Sequence, residues 1–213
     1  MKKLSLLFLL VLSLFQSSTL NAQSKADIFN TSVPITWLGV DFSEMKFIGT
    51  AAGWGSESTK SSSEMRDTYY HVWNEVIEKE SKNFKVEAAV NRNEVEWNGS
   101  AVKKANSKAN KKDIFSESLS DYQSISESDL NQMVKQYDFN GKSGIGFALI
   151  AEGMNKNLEE ASYWATFIDM KSKKVILAKR ITGSAQGFGF RNYWLGSIKS
   201  VFKKMKKEFK NWD

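Results

Sequence analysis

The chain has 213 residues, of which 41% are apolar and 25% charged, with seven Trp, 14 Phe and six Tyr against one Pro and no Cys. That is the composition of a globular domain able to bury a real core, not of a disordered or fibrous chain. Without Cys there are no disulfides, thiolate nucleophiles or cysteine metal sites, and the single His71 rules out a multi-histidine metal cage; no cofactor is expected.

Residues 1–22 open with Lys2 and Lys3, continue through the apolar run Leu4 to Phe15, and end in the small polar stretch before Ala22. This pattern predicts a signal peptide cleaved after Ala22. Its apolar core of about 12 residues is short of the roughly 20 that span a bilayer, and no long apolar run recurs, so no transmembrane span is expected after cleavage. The expected location is periplasmic or secreted. Export would remove two lysines from a formal charge of +6 and separate the chain from nucleic acid. An envelope protein or an anionic envelope surface is then the expected partner, and homo-oligomerisation stays open.

Residues 23–34 read as an arm before a single domain over 35–213. Ile35 to Phe42 predicts a mostly buried strand, and Gly49 to Ser56, with three glycines, a loop. Ser61 and Glu64 have capping-box spacing, and Met65, Tyr69, Val72, Trp73, Val76 and Ile77 follow at helical intervals. Phe84 to Val90 suggests a second strand, and Asn98-Gly99 a turn. Lys103, Lys104, Lys108, Lys111 and Lys112 mark a solvated helix face or loop. Ser126 and Asp129 announce another helix, with Leu130, Met133, Val134 and Tyr137 on one face.

Ile145 to Ala151 is apolar at both parities and predicts a central strand covered on both sides. Strands near Ser162–Asp169 and Lys174–Ile181 flank a short connection, as in a hairpin. After a glycine-rich bend at 183–189, Trp194, Ile198, Val201, Phe202, Met205, Phe209 and Trp212 form the stripe of a C-terminal amphipathic helix. Interspersed helices and strands with one hairpin predict an α/β or α+β domain, a mixed β-sheet flanked by helices.

Gly141-Lys142-Ser143 lacks the earlier glycine of a phosphate loop and lies between helix and strand, the reverse of the required order, so it reads as a turn. The 183–189 bend precedes a helix but misses the dinucleotide spacing. His71 sits beside an apolar stripe with no partner the sequence can locate. Asp41, Glu152 and Asp169 fall at strand ends, where side chains can converge on a crevice; a pair of them could act as general acid and base in a hydrolase. Among the tryptophans, Trp54 and Trp97 lie near glycine-rich or polar turns and are candidates for a binding surface. Arg191, Lys199, Lys203, Lys204 and Lys207 decorate the last helix, either shielding its stripe or meeting an acidic partner.

The segments Tyr163 to Met170 and Lys174 to Ala178, with the terminal amphipathic helix, resemble the small α/β modules of the Tol-system propeller protein's N-terminal domain and of outer-membrane assembly lipoproteins, over about residues 33–210. The whole chain also resembles exported proteins of Bacteroidetes. The resemblance implies a mixed sheet flanked by helices and a role in contacting envelope proteins or assembling. It carries over no catalytic motif, and the lipoprotein cysteine is missing. The functional expectation is therefore a cell-envelope binding or assembly module without catalytic activity, with a carboxylate-dependent hydrolase and a purely structural envelope protein as alternatives.

Overall fold

The computed structural model describes residues 22–49 and 61–212; the predicted leader, most of the glycine-rich loop and Trp54 lie outside them. In chain order the elements are α1 (Lys25–Phe29), β1 (Ile35–Asp41), β2 (Lys46–Ile48) and a helix α2 made of Ser62–Glu64, a π-helical turn Met65–Tyr69 and Tyr70–Lys79. Then come α3 (Ser81–Phe84), α4 (Val86–Ala89), β3 (Glu96–Trp97), α5 (Ser100–Asn106), β4 (Phe115–Ser116) and α6 (Glu127–Lys135). The chain closes with β5 (Ile145–Asn155), β6 (Glu160–Asp169), β7 (Lys174–Ser184) and α7 (Gly189–Glu208).

β5 pairs antiparallel with β6 along its whole length, from Ile145↔Asp169 to Asn155↔Glu160, and β6 pairs antiparallel with β7. β1 and β2 therefore share the other edge of β5. β1 runs parallel to its first half, from Ile35↔Ile145 to Asp41↔Ile150, and β2 to its last residues, from Lys46↔Gly153 to Ile48↔Asn155. Outside them, β3 pairs with β1 and β4 with β2, again in parallel. Two tracks of this mixed sheet are thus relays of short strands.

Between β3 and β4 the outer edge of β1 has no strand beside it among the described residues, and buried backbone groups cannot be left unpaired there. Two asparagines take the strand's place. Asn74 of α2 accepts from Val40 N at 2.7 Å and donates to Val40 O at 2.9 Å. The fully buried Asn106 of α5 accepts from Phe42 N at 2.6 Å and donates to Val40 O at 3.0 Å. Gly39, at φ +106°, makes the bulge that brings Asn74 this close; a Cβ there would lie 2.7 Å from Asn74 Oδ1.

The sheet separates two cores. Alternate residues of β5 (Ile145, Phe147, Leu149) face a large first core built with Trp37, Trp73 and the α7 stripe. Ala148 and Ile150 face a smaller second core with Leu38, Val102, Leu130, Val134 and Trp164. This confirms the two-sided reading of the central strand and the docking of the last helix. One local expectation is corrected. Phe84–Val90 is not a strand: the short helices α3 and α4 meet at Lys85, which takes the left-handed conformation (φ 53°), and this corner lets Phe84, Val86, Ala89 and Val90 all point into the first core. The arm before β1 contains α1, anchored by the fully buried Ile28.

Candidate functional site

On the second face, at the carboxyl end of β1, α5 and α6 diverge around a cleft of about 540 Å³, within the range of ligand sites. Each wall is one helical stripe. Ala101, Lys104, Ala105 and Lys108 come from α5 and its last turn, and Asp129, Gln132, Met133 and Gln136 from α6 and its cap. α6 forms where predicted, with a full capping box between Ser126 and Asp129. That box holds the Asp129 carboxyl below the usual range, chiefly through the Ser126 hydroxyl. Lys104 is paired with Asp138 at 3.1 Å, whereas Lys108 is exposed.

Asp41 and Tyr137 close the floor. Tyr137 OH donates to Asp41 Oδ2 at 2.5 Å and Ser43 N donates to Oδ1 at 2.7 Å. Burial pushes the Asp41 carboxyl above the carboxylate range, against the pull of these hydrogen bonds. Burial, and then the charge of Asp41, push the Tyr137 phenol well above its usual value, so it remains a donor at neutral pH.

Glu152 is the extra residue of a bulge in β5 and is completely buried. Arg180 of β7 grips it with two groups, Nη2 to Oε1 at 2.9 Å and Nε to Oε2 at 3.0 Å. Ile125 N and Ser162 Oγ add hydrogen bonds at 2.9 Å each. Arg180 also lies 4.5 Å from the Trp164 ring centroid, and both side chains donate to Ile125 O. The cluster clasps the start of α6 onto β5, β6 and β7. It sits behind Ile125, and Glu152 is not part of the cleft lining.

Asp169 lies elsewhere. It pairs with Ile145, at the start of β5 and five residues before the Asp41↔Ile150 pair, roughly 17 Å away at about 3.3 Å per residue. Its oxygens accept from Lys171 N at 3.0 Å and Ser172 Oγ at 2.8 Å, which makes it a turn residue. Of the three strand-end carboxylates, the cleft contains Asp41 alone.

The cationic candidates ride on α7, over the first face. Lys204 Nζ donates to Thr182 O at 2.7 Å, and Lys199 Nζ lies 4.8 Å from the centre of the Phe84 ring. Arg191 contacts Asn192, while Lys203 and Lys207 are exposed. Lys104 and Lys108 border the second face, away from the α7 lysines, whereas Lys111 pairs with Asp67 of α2 at 2.8 Å. Trp97 is half-buried and packs edge-on against Trp37 at 6.4 Å. Tyr137, Gln132, Gln136 and Arg180 are absent from the sequence-derived candidates. Only the spacing of Gln132 and Gln136, four residues apart on a predicted helix, marks them beforehand.

Among the described residues no group of His, Cys, Asp or Glu is placed to hold a metal ion, and no helix is long and apolar enough to cross a membrane. The molecule is an α/β domain, a mixed sheet with helices on both faces and a cleft at the carboxyl end of a parallel strand. No family model, curated protein or solved structure matches the chain.

Proposed function

We propose that the protein is a non-catalytic binding module of the cell envelope that takes a polar segment of a partner protein in the cleft between α5 and α6. The observation that carries this reading is the pairing of an adaptable rim with an engaged floor. Lys108, Gln132, Met133 and Gln136 line the walls, while Asp41 on the floor is buried with both oxygens hydrogen-bonded. Glutamine amides suit a peptide backbone, which needs donors and acceptors together, and Lys108 suits an acidic side chain. Met133 supplies flexible apolar contact. A hydrolase built on the strand-end carboxylates would need a second of them across from Asp41, and the placement of Glu152 behind Ile125 and of Asp169 at the start of β5 weighs against that. The predicted leader supports export.

The test is recovery of partners from envelope extract by the purified protein and by a Lys108→Glu/Gln132→Ala/Gln136→Ala variant with native circular dichroism. Loss of a partner from the variant is expected. Identical recovery would remove the cleft from the binding role, and hydrolytic turnover abolished by Asp41→Asn would replace binding with catalysis.

A further inference from the structure

β7 is an edge strand: among the described residues it pairs with β6 and with no other strand. An open edge presents unpaired N–H and C=O groups, which proteins either block or use. Side-chain contacts show which residues of β7 point outward. Thr182 O accepts from Lys204, Ser184 N donates to Ser200 Oγ at 3.3 Å, and Val175 N donates to Asn131 Oδ1 at 3.4 Å. Because alternate residues of an antiparallel strand share one orientation, Ala178 and Arg180 also turn their backbone groups away from β6.

These contacts close the edge at both ends. At the start, a bulge between the Leu177 and Val175 pairings breaks the register and Asn131 of α6 covers Val175; at the finish, α7 covers Ser184 and the Thr182 carbonyl. Between them no side chain or strand among the described residues takes the outward groups of Ala178 and Arg180. Val175 to Ala178, four apolar residues in a row, are each only half-buried.

We propose that this window of β7, Ala178 to Thr182, is a second docking site, independent of the cleft, which binds an extended acidic segment of a partner protein by strand addition. Charge selects the occupant. β7 carries Lys174, Lys179 and Arg180 and no acid. Arg180 is neutralised by Glu152, but Lys179, on the α7 side with Leu177 and Ile181, has no carboxylate partner among the described residues, and neither does Lys204 beside Thr182. A second copy is disfavoured: antiparallel self-pairing about the middle of the window sets Arg180 opposite its equivalent and adds two unpaired Lys179 charges. An acidic strand instead gains backbone hydrogen bonds for affinity and the two lysines for selectivity.

The probe is a fluorescent, end-capped heptapeptide alternating Glu and Val, titrated by anisotropy against the purified protein. Its Lys-for-Glu counterpart and a copy N-methylated at alternate amides are the controls. Ala178→Pro removes an outward N–H without touching the ladder to β6, a place where an edge strand accepts proline. The expected results are saturable binding by the acidic peptide alone, weakened about tenfold or more by Ala178→Pro and also by Lys179→Glu, with new amide-exchange protection at Ala178 and Arg180. Lys108→Glu should leave this binding unchanged. Absence of saturable binding, equal binding of the Lys peptide, or loss of binding in Lys108→Glu would each overturn the proposal, as would full affinity in a folded Ala178→Pro protein. Should Ala178→Pro fail to fold, the methylated peptide decides against wild type: binding equal to that of the parent peptide sinks strand addition.

Discussion

Burying Asp41 behind Tyr137 sets the ionisation of one carboxyl against folding. Its pKa is raised in the folded state, so above the unfolded value of about 4 the folded protein keeps a proton that the unfolded chain has released. Stability contributed by this group is therefore greatest at acid pH and is lost as pH rises through the window between the two values. Asp41→Asn keeps one acceptor, its Oδ1 for Ser43 N, and its amide can donate to the Tyr137 hydroxyl, without the charge. The variant should resist urea better than wild type at pH 7, with the difference narrowing toward about pH 4. The exposed Asp67, Asp129 and Asp138, whose shifts run the other way, are common to both proteins and cancel in the comparison. A folded Asn variant that is less stable at pH 7 would mean that the ionised form is what Tyr137 and Ser43 hold in place. Asp41 was legible in the sequence from its place at the end of an apolar strand. Its partner lies 96 residues away, and no local pattern marks a contact at that separation.

Among the elements, α7 lies on β7 at unusually close range because glycines meet backbone there. A Cβ on Gly183 would strike the Ser197 carbonyl, and one on Gly196 would strike the Gln186 backbone. Tyr163 and Ser197 add a buried hydroxyl pair at 2.7 Å under the same contact. In an exposed helix Gly→Ala adds about 1 kcal/mol of stability. Here Gly196→Ala should instead destabilise by roughly 1–3 kcal/mol in urea denaturation, since neither backbone can yield as a flexible side chain would. A stabilised variant would show that helix propensity outweighs the contact. The apolar stripe of α7, the capping box of α6 and the two-sided hydrophobicity of β5 are sequence patterns strong enough to read directly: the stripe repeats with the helical period, the box has a fixed three-residue spacing, and β5 is an unbroken apolar run of strand length. β2, β3 and β4 are not, since two or three residues carry no period and their parallel pairing is decided by distant segments. Phe84-Lys85-Val86 mimics strand alternation for the same reason: three residues cannot distinguish a strand from a corner between two helical turns.

For the whole molecule, the decisive feature is that one sheet is the floor of both cores. β5 and β6 send alternate residues to each side, so neither helical layer has a hydrophobic surface of its own to stand on. Leu130 anchors α6 in the second core and Ile198 anchors α7 in the first, both fully buried. Either residue changed to Ala should cost roughly 2–5 kcal/mol. They lie on opposite faces and in separate clusters, so the double variant should show the sum of the single effects to within about 0.5 kcal/mol. Both changes should move a single transition, with tryptophan fluorescence, dominated by the first core, coinciding with far-ultraviolet circular dichroism. If α5 and α6 melted as a separate lobe, Leu130→Ala would shift only part of the dichroism and leave the fluorescence midpoint in place. The cleft would then lie in a locally unfolding layer, with Asp41 and Lys108 held in register only while α6 stays docked. Coincident transitions would place the cleft and the β7 edge on one rigid sheet, so that a partner engaging both could bind without reorganising either.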